Sequence, residues 1–320
     1  MSFFTRRSFL GGAAALTASM SPLRMLAEKA HFKVGVISDE ISQDFDHACH
    51  VIRNEYGLRF VELREMWGKN LQASTDAELQ QSQTILAKYG LTVTDIASPL
   101  FKVDWPDAPR SPYSSEEGLH GAAVSSLAQQ DDVLRRSIEL AHRFKTNKVR
   151  CFDFWRIEDV KPYRKAINEK LQEAATFAGA RGVMLVLENE FACNTATGRE
   201  AAATLAGVPS RHLALNWDPG NAVMRGELDA YPNGWDALPK QRIHHCHVKN
   251  AQKDANGKMQ WAPVDIGYVD WTAQFHALKQ IGYSDATSLE THWRGGGTPE
   301  QSSDRSWQGM QRALTAAGCI

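Results

Sequence analysis

The sequence predicts a (β/α)8 barrel, and three observations carry the expectation. Short β-rich runs alternate with longer amphipathic runs eight times over residues 31–320, which implies parallel strands joined by right-handed crossovers. That length suits one barrel, which uses about 250 residues, and leaves little for a second domain. The first β-rich run passes into Ser38-Asp39-Glu40, where a doubly wound open sheet would offer a glycine-rich turn.

The elements follow in order. Residues 33–37 (KVGVI) read as the first strand and 45–56 as its helix; 60–63 (FVEL) is the second strand, and its helix, 76–89, stops at Gly90. Residues 91–97 form the third strand, 131–144 its helix, 148–152 the fourth strand and 162–180 a long helix. Strand five is 183–187 with a short helix at 199–205, strand six is 212–216, and a weakly patterned stretch leads to strand seven at 243–248. A helix at 271–281, strand eight at 286–289 and a helix at 304–316 close the pattern. Two connections are long. Residues 98–126 carry Pro99, Pro106, Pro109 and Pro112 with Trp105 and Tyr113; residues 251–268 carry Trp261 and Asn256-Gly257, a hairpin turn signal. Both follow strands, so both are expected at the C-terminal mouth as lids or substrate walls.

Residues 1–30 read as an address. Thr5-Arg6-Arg7-Ser8-Phe9-Leu10 precedes a run of small apolar residues that is too short for a bilayer span of about 20 residues. The pattern resembles a twin-arginine export signal, which implies a periplasmic or secreted protein with no membrane anchor once the signal is cleaved. The whole chain carries a formal charge of −1, and residues 31–320 alone carry −4. An acidic body gives no attraction for phosphate backbones, so no nucleic-acid partner is expected. The five cysteines are odd in number, with no Cys-x-x-Cys pair, so they are read as small buried residues, not a disulfide framework.

In a barrel the strand C-termini converge on one mouth, and catalytic residues come from several of them. Strand five ends in Leu187-Glu188-Asn189-Glu190, strand six runs into Asp218-Pro219-Gly220-Asn221, strand seven ends in His247-Val248-Lys249-Asn250, and strand eight ends in Glu290-Thr291-His292. Three carboxylates and an imidazole thus arrive from four successive strands. Such an oxygen-rich set with open positions suits a divalent cation doing Lewis-acid work better than a closed, sulfur-rich structural zinc site. Alternation along strand seven puts His245, His247 and Lys249 on one face and Cys246 on the other, so Cys246 faces the helices. Lys249 is expected near the rim, where it would hold a substrate oxygen. Glu62, Arg64, Arg150, Glu190, Asn221 and His292 are further expected to line the mouth as substrate contacts, with Trp105, Trp155, Trp261 and Trp293 as stacking surfaces.

These motifs, with residues 267–271 (GYVDW) and Ser288-Leu289-Glu290, resemble the xylose isomerase-like TIM barrel superfamily of sugar isomerases and epimerases over residues 32–318. The resemblance implies one divalent metal, most often Mn²⁺ (Mg²⁺, Co²⁺ and Zn²⁺ being alternatives), held by Glu188, Asp218, His247 and Glu290. It also implies Glu188 and Glu290 as the acid/base pair that moves a proton next to a carbonyl through a cis-enediolate, on a small sugar or keto-sugar, in a chain that can form a homo-oligomer. The alternative reading is a metal-dependent dehydratase or β-eliminating lyase acting on keto-sugars or 3-keto-glycosides. Endonuclease IV resembles the same superfamily, but a phosphodiesterase of that kind needs further ligands, and Asn221 stands where a histidine would be required. A sugar-binding barrel without turnover is the remaining reading, and the intact four-residue set argues against it.

Overall fold

In the computed structural model, which describes residues 30–114 and 126–320, the eight strands are parallel and wind into a nearly closed barrel. They are β1 (Lys33–Val36), β2 (Phe60–Leu63), β3 (Thr92–Ile96), β4 (Lys148–Cys151), β5 (Met184–Glu188), β6 (Leu213–Trp217), β7 (Ile243–Val248) and β8 (Ala286–Leu289). Each lies next to its sequence neighbour, and β8 returns to β1 in register from Lys33–Ala286 to Val36–Leu289. The seam lies between β1 and β2, joined by a single bridge from Ile37 to Glu62.

The helices are α1 (Phe45–His50), α2 (Asp76–Tyr89), α3 (Gln130–Arg143), α4 (Arg164–Gly179), α5 (Gly198–Gly207), α6 (Pro219–Met224), α7 (Trp271–Gln280) and α8 (Pro299–Ala316). A capping box starts α2, where Thr75 and Glu78 exchange hydrogen bonds, and Gly90 ends it in the left-handed conformation. α8 begins five residues earlier than the sequence pattern suggested, because Thr298 and Gln301 form a second capping box ahead of Pro299. The helix expected over 45–56 is α1 followed by a π-helical turn, Val51–Glu55. The weakly patterned stretch after β6 folds as α6 and short helical turns, the last of which, Lys240–Arg242, leads into β7.

The strand alternation sorts chemistry by face. Val61, Leu63, Val149, Cys151, Leu185, Leu187, Leu213, Leu215, Trp217, Cys246, Val248 and Leu289 join one apolar core with the surrounding helices. Cys246 therefore faces the helices, as its alternation implied. The intervening residues Glu62, Arg150, Glu188, Asn216, His245, His247 and Ser288 are buried and polar. Barrel interiors are usually filled by branched aliphatic side chains, so this one is committed to polar contacts. Two hairpins stand beyond strand ends. Asn250–Lys253 pairs with Met259–Ala262 across the turn signalled by Asn256-Gly257, with Gly257 at φ +81°. Glu65–Met66 pairs with Lys69–Asn70 across Trp67 and Gly68, at φ +55° and +72°. The five cysteines are all buried and unpaired, and among the described residues no helix is long and apolar enough to cross a membrane. The twin-arginine motif lies outside the described residues.

Candidate active site

The motif after β6 builds one corner of the site. Asp218 caps α6 by accepting from the Asn221 backbone N–H at 2.8 Å, and Pro219 fills the first helical position, where no donor is needed. Gly220 leaves room for Lys249, since a Cβ there would lie 2.7 Å from Lys249 Cγ and 2.9 Å from its carbonyl oxygen. The Asn221 side chain donates to Glu188 Oε1 at 3.0 Å. Asn189 ties β5 to β6: its amide accepts from the Asp218 N–H at 2.8 Å and donates to the Asp218 carbonyl at 2.7 Å.

These supports bring four strand ends together. Glu188, Asp218, His247 and Glu290 are buried and offer ligand atoms that lie within 4.8 Å of one another. His247 Nδ1 is 3.0 Å from Glu290 Oε2, 3.3 Å from Glu188 Oε1 and 3.8 Å from Asp218 Oδ2. Among the described residues, Glu188 Oε2 and Asp218 Oδ2 accept no hydrogen bond; their nearest cations are Arg150 Nη1 at 3.1 Å and Lys249 Nζ at 2.8 Å. The donor set fits a divalent cation. Around it, Asp39, Glu40, Glu62, Glu188, Asp218 and Glu290 are matched by Arg64, Arg150, Lys249 and Arg294.

The electrostatics are correspondingly strong. Burial would raise Glu188, but the charges of His247 and Arg150 outweigh it and hold the carboxyl at about 2. Glu290 is held well below the usual range against the same burial cost by Lys249, His247 and His292. Asp218 goes the other way, to about 7, because burial and the neighbouring Glu188 charge exceed the help from Lys249. Burial works against the Lys249 ammonium, yet Asp218, Glu290 and Glu188 keep it above its ordinary value.

The other expected mouth residues separate into two groups. Glu62 lies beneath the site, not at its mouth: it is fully buried, with Oε2 2.8 Å from His245 Nε2 and Oε1 3.1 Å from His247 Nε2. It orients the imidazole whose other nitrogen faces the carboxylates, the usual arrangement behind a metal-bound histidine. Lys249 is likewise buried, not at the rim; Nζ sits 2.6 Å from Glu290 Oε2 and 5.2 Å from the centre of the Trp261 ring that covers it. Arg150 is buried against Glu188, and Asn221 is spent on the same carboxylate. Glu190 is paired with Lys102 at 3.1 Å, and His292, at φ +46°, stacks on Trp261 with ring centres 5.2 Å apart. Glu190 is buried and His292 half-buried, and Lys102, the partner of Glu190, lies over the rings of Phe152 and Trp155. Trp105, by contrast, packs edge-on to buried Phe154.

Asp39 and Glu40 belong to no recognisable sequence motif. They hold Arg64, and the only available signal was their position at a strand end.

Comparison with known proteins agrees with this fold. Residues 53–314 match the family model described as "Xylose isomerase-like TIM barrel". No curated protein matches the chain. Among solved structures, a xylose isomerase-like TIM barrel protein from Mycobacterium smegmatis in complex with magnesium is similar at 18% identity and TM-score 0.64, covering 91% of this chain and 98% of that one. The probable 3-DHS dehydratase AsbF from Bacillus anthracis is similar at 18% identity and TM-score 0.65, over 89% and 99% of the two chains. An L-ribulose 3-epimerase is similar at 17% identity and TM-score 0.60, over 90% and 96%. At these identities the likenesses show the fold.

Proposed function

This chain belongs to the xylose isomerase-like TIM barrel family, and from that premise we propose that it is a metal-dependent sugar isomerase or epimerase. The observation that carries the reading is the convergence of Glu188, Asp218, His247 and Glu290 at the strand C-termini. These four residues would hold one divalent cation, with Mn²⁺ the expected ion and Mg²⁺, Co²⁺ and Zn²⁺ the alternatives. Such a cation polarises a carbonyl oxygen and so acidifies the neighbouring C–H. Glu188 and Glu290 enter from β5 and β8 and serve as proton acceptor and donor. One carboxylate takes the proton from the carbon, and the C–H electron pair moves toward the carbonyl oxygen to leave a cis-enediolate. Return of a proton to the former carbonyl carbon, with the hydroxyl proton passing from one oxygen to the other as the carbonyl relocates, completes isomerisation; return to the opposite face of the same carbon completes epimerisation. Arg150 and Asn221 hold Glu188 in place, and Trp261 with His292 covers the site against water.

A second reading is β-elimination from a keto-sugar or 3-keto-glycoside, and the position of Lys249 favours it. A buried ammonium among the catalytic carboxylates can stabilise a departing hydroxyl or alkoxy oxygen. Incubation of the metal-loaded chain with a panel of ketoses and 3-keto-glycosides in D₂O, followed by NMR, tests both readings. Deuterium next to the carbonyl supports proton transfer, and loss of the β-substituent identifies elimination. No deuteration with any substrate would leave a sugar-binding barrel without turnover. The periplasmic or secreted location and a homo-oligomeric state belong to this proposal and are tested by cell fractionation and by sedimentation.

A further inference from the structure

We propose that Arg64 is a positioning residue that sets the carboxylate of Glu290 in the cluster, and that the acidic turn after β1 serves as its seat. Arg64 follows β2 on the inward side and is 2% exposed. Its Nη1 donates to Glu290 Oε1 at 2.6 Å. Nε and Nη2 donate to Asp39 Oδ2 at 3.0 and 2.7 Å, and Nη2 also donates to Glu40 Oε1 at 2.7 Å. One planar guanidinium therefore fixes three carboxylates, a task that a single ammonium on a flexible stem does not perform. With Oε1 so engaged, Glu290 turns Oε2 toward His247.

The seat is itself tethered. Glu40 accepts from Arg294 at 2.9 Å, and its carbonyl accepts from Ser303 Oγ at 2.7 Å. Arg150 is the counterpart on Glu188, but it is seated on neutral carbonyls, donating to Ser98 at 3.3 Å and Ala97 at 3.2 Å. The two glutamates are thus held by arginines of similar reach and different surroundings. The Arg64–Asp39 contact also crosses the seam where a single bridge joins β1 to β2. A seam-closing role alone would appear in stability and leave metal binding untouched.

The proposal rests on the metal reading above, and the experiment separates the two. Mn²⁺ binding by calorimetry and the visible spectrum of the Co²⁺-loaded protein are compared for the native chain and Arg64→Lys, which keeps the charge and loses the fork. The expected result is Mn²⁺ affinity about 10-fold weaker or more, with an altered Co²⁺ spectrum. Native affinity and an unchanged Co²⁺ spectrum in Arg64→Lys would overturn the proposal, even with a lowered melting temperature. Failure of the native chain to bind Mn²⁺ would overturn the metal reading itself. If Arg64→Lys does not fold, Asp39→Asn carries the same comparison: it leaves Arg64 and the cluster in place but takes the charge from the seat, and a smaller loss in the same direction is expected.

Discussion

Raising the pH from 6 to 8 should tighten divalent-cation binding by about tenfold or more, because Asp218 must shed a proton to become a ligand and alone supplies that factor. Burial is the main cause of its upward shift to about 7, with Lys249 opposing and Glu188 adding to it. A carboxyl at that value is about one-tenth ionised at pH 6 and about nine-tenths ionised at pH 8, a difference of about 1.4 kcal/mol in apparent binding free energy. Glu188 and Glu290 are held low and contribute nothing over this range. His247 is held well above its ordinary value, chiefly by Glu62 and Glu290 against the cost of burial, so it can only steepen the trend. The sign for stability is the reverse. Without a cation, the raised Asp218 value stabilises the fold below 3.8, the ordinary value for an aspartate, and that contribution is lost as pH rises to about 7. Calorimetric titration with Mn²⁺ at pH 6, 7 and 8, in buffers of different ionisation heat, measures affinity and proton release together. Equal affinity across the range with no proton released would refute the reasoning.

Three further outcomes are expected. Glu62→Gln keeps the volume beneath His247 but removes the charge that orients it, so Mn²⁺ affinity should fall about 10- to 100-fold; calorimetry with unchanged affinity would contradict that role. Gly220→Ala should destabilise the protein by about 1–3 kcal/mol in thermal unfolding, because the new Cβ meets the Lys249 stem and a backbone oxygen that cannot yield. Glu40 is held at about 2, where the charges of His292, Arg64 and Arg294 exceed the burial cost. It should therefore contribute about 3 kcal/mol that is present above pH 4.5 and lost as pH falls toward 2. Urea unfolding between pH 3 and 6 should show a flatter profile for Glu40→Gln, and superimposable profiles would count against it.

Much of the fold was legible in residue periodicity. Polar–apolar alternation marks β7 and separates His247 from Cys246, and the turn at Asn256-Gly257 announced its hairpin. Periodicity alone starts α8 too late, because the first turn of Pro299–Ala316 is polar and the true start is marked by the capping box of Thr298 and Gln301. The hairpin across Trp67-Gly68 was also missed. Its strands are two residues each, too short for any period to register.

The candidate site divides along the same line. The sequence by itself determined which residues sit at strand ends and which face they take, since a period of two residues requires nothing beyond the chain. That placed Glu188, Asp218, His247 and Glu290 at successive strand ends, the family resemblance singled them out as one set, and the fold brings them within 4.8 Å. Depth is different. How far below the mouth a side chain lies depends on the stagger between neighbouring strands and on what covers it. Glu62 therefore came to lie under His247, and Lys249 under Trp261, although both had been expected at the mouth. Partnership across the barrel was likewise decided only by tertiary structure. Arg64 meets Asp39 from 25 residues away and Glu290 from 226, because the closing sheet brings β1, β2 and β8 together around one buried guanidinium.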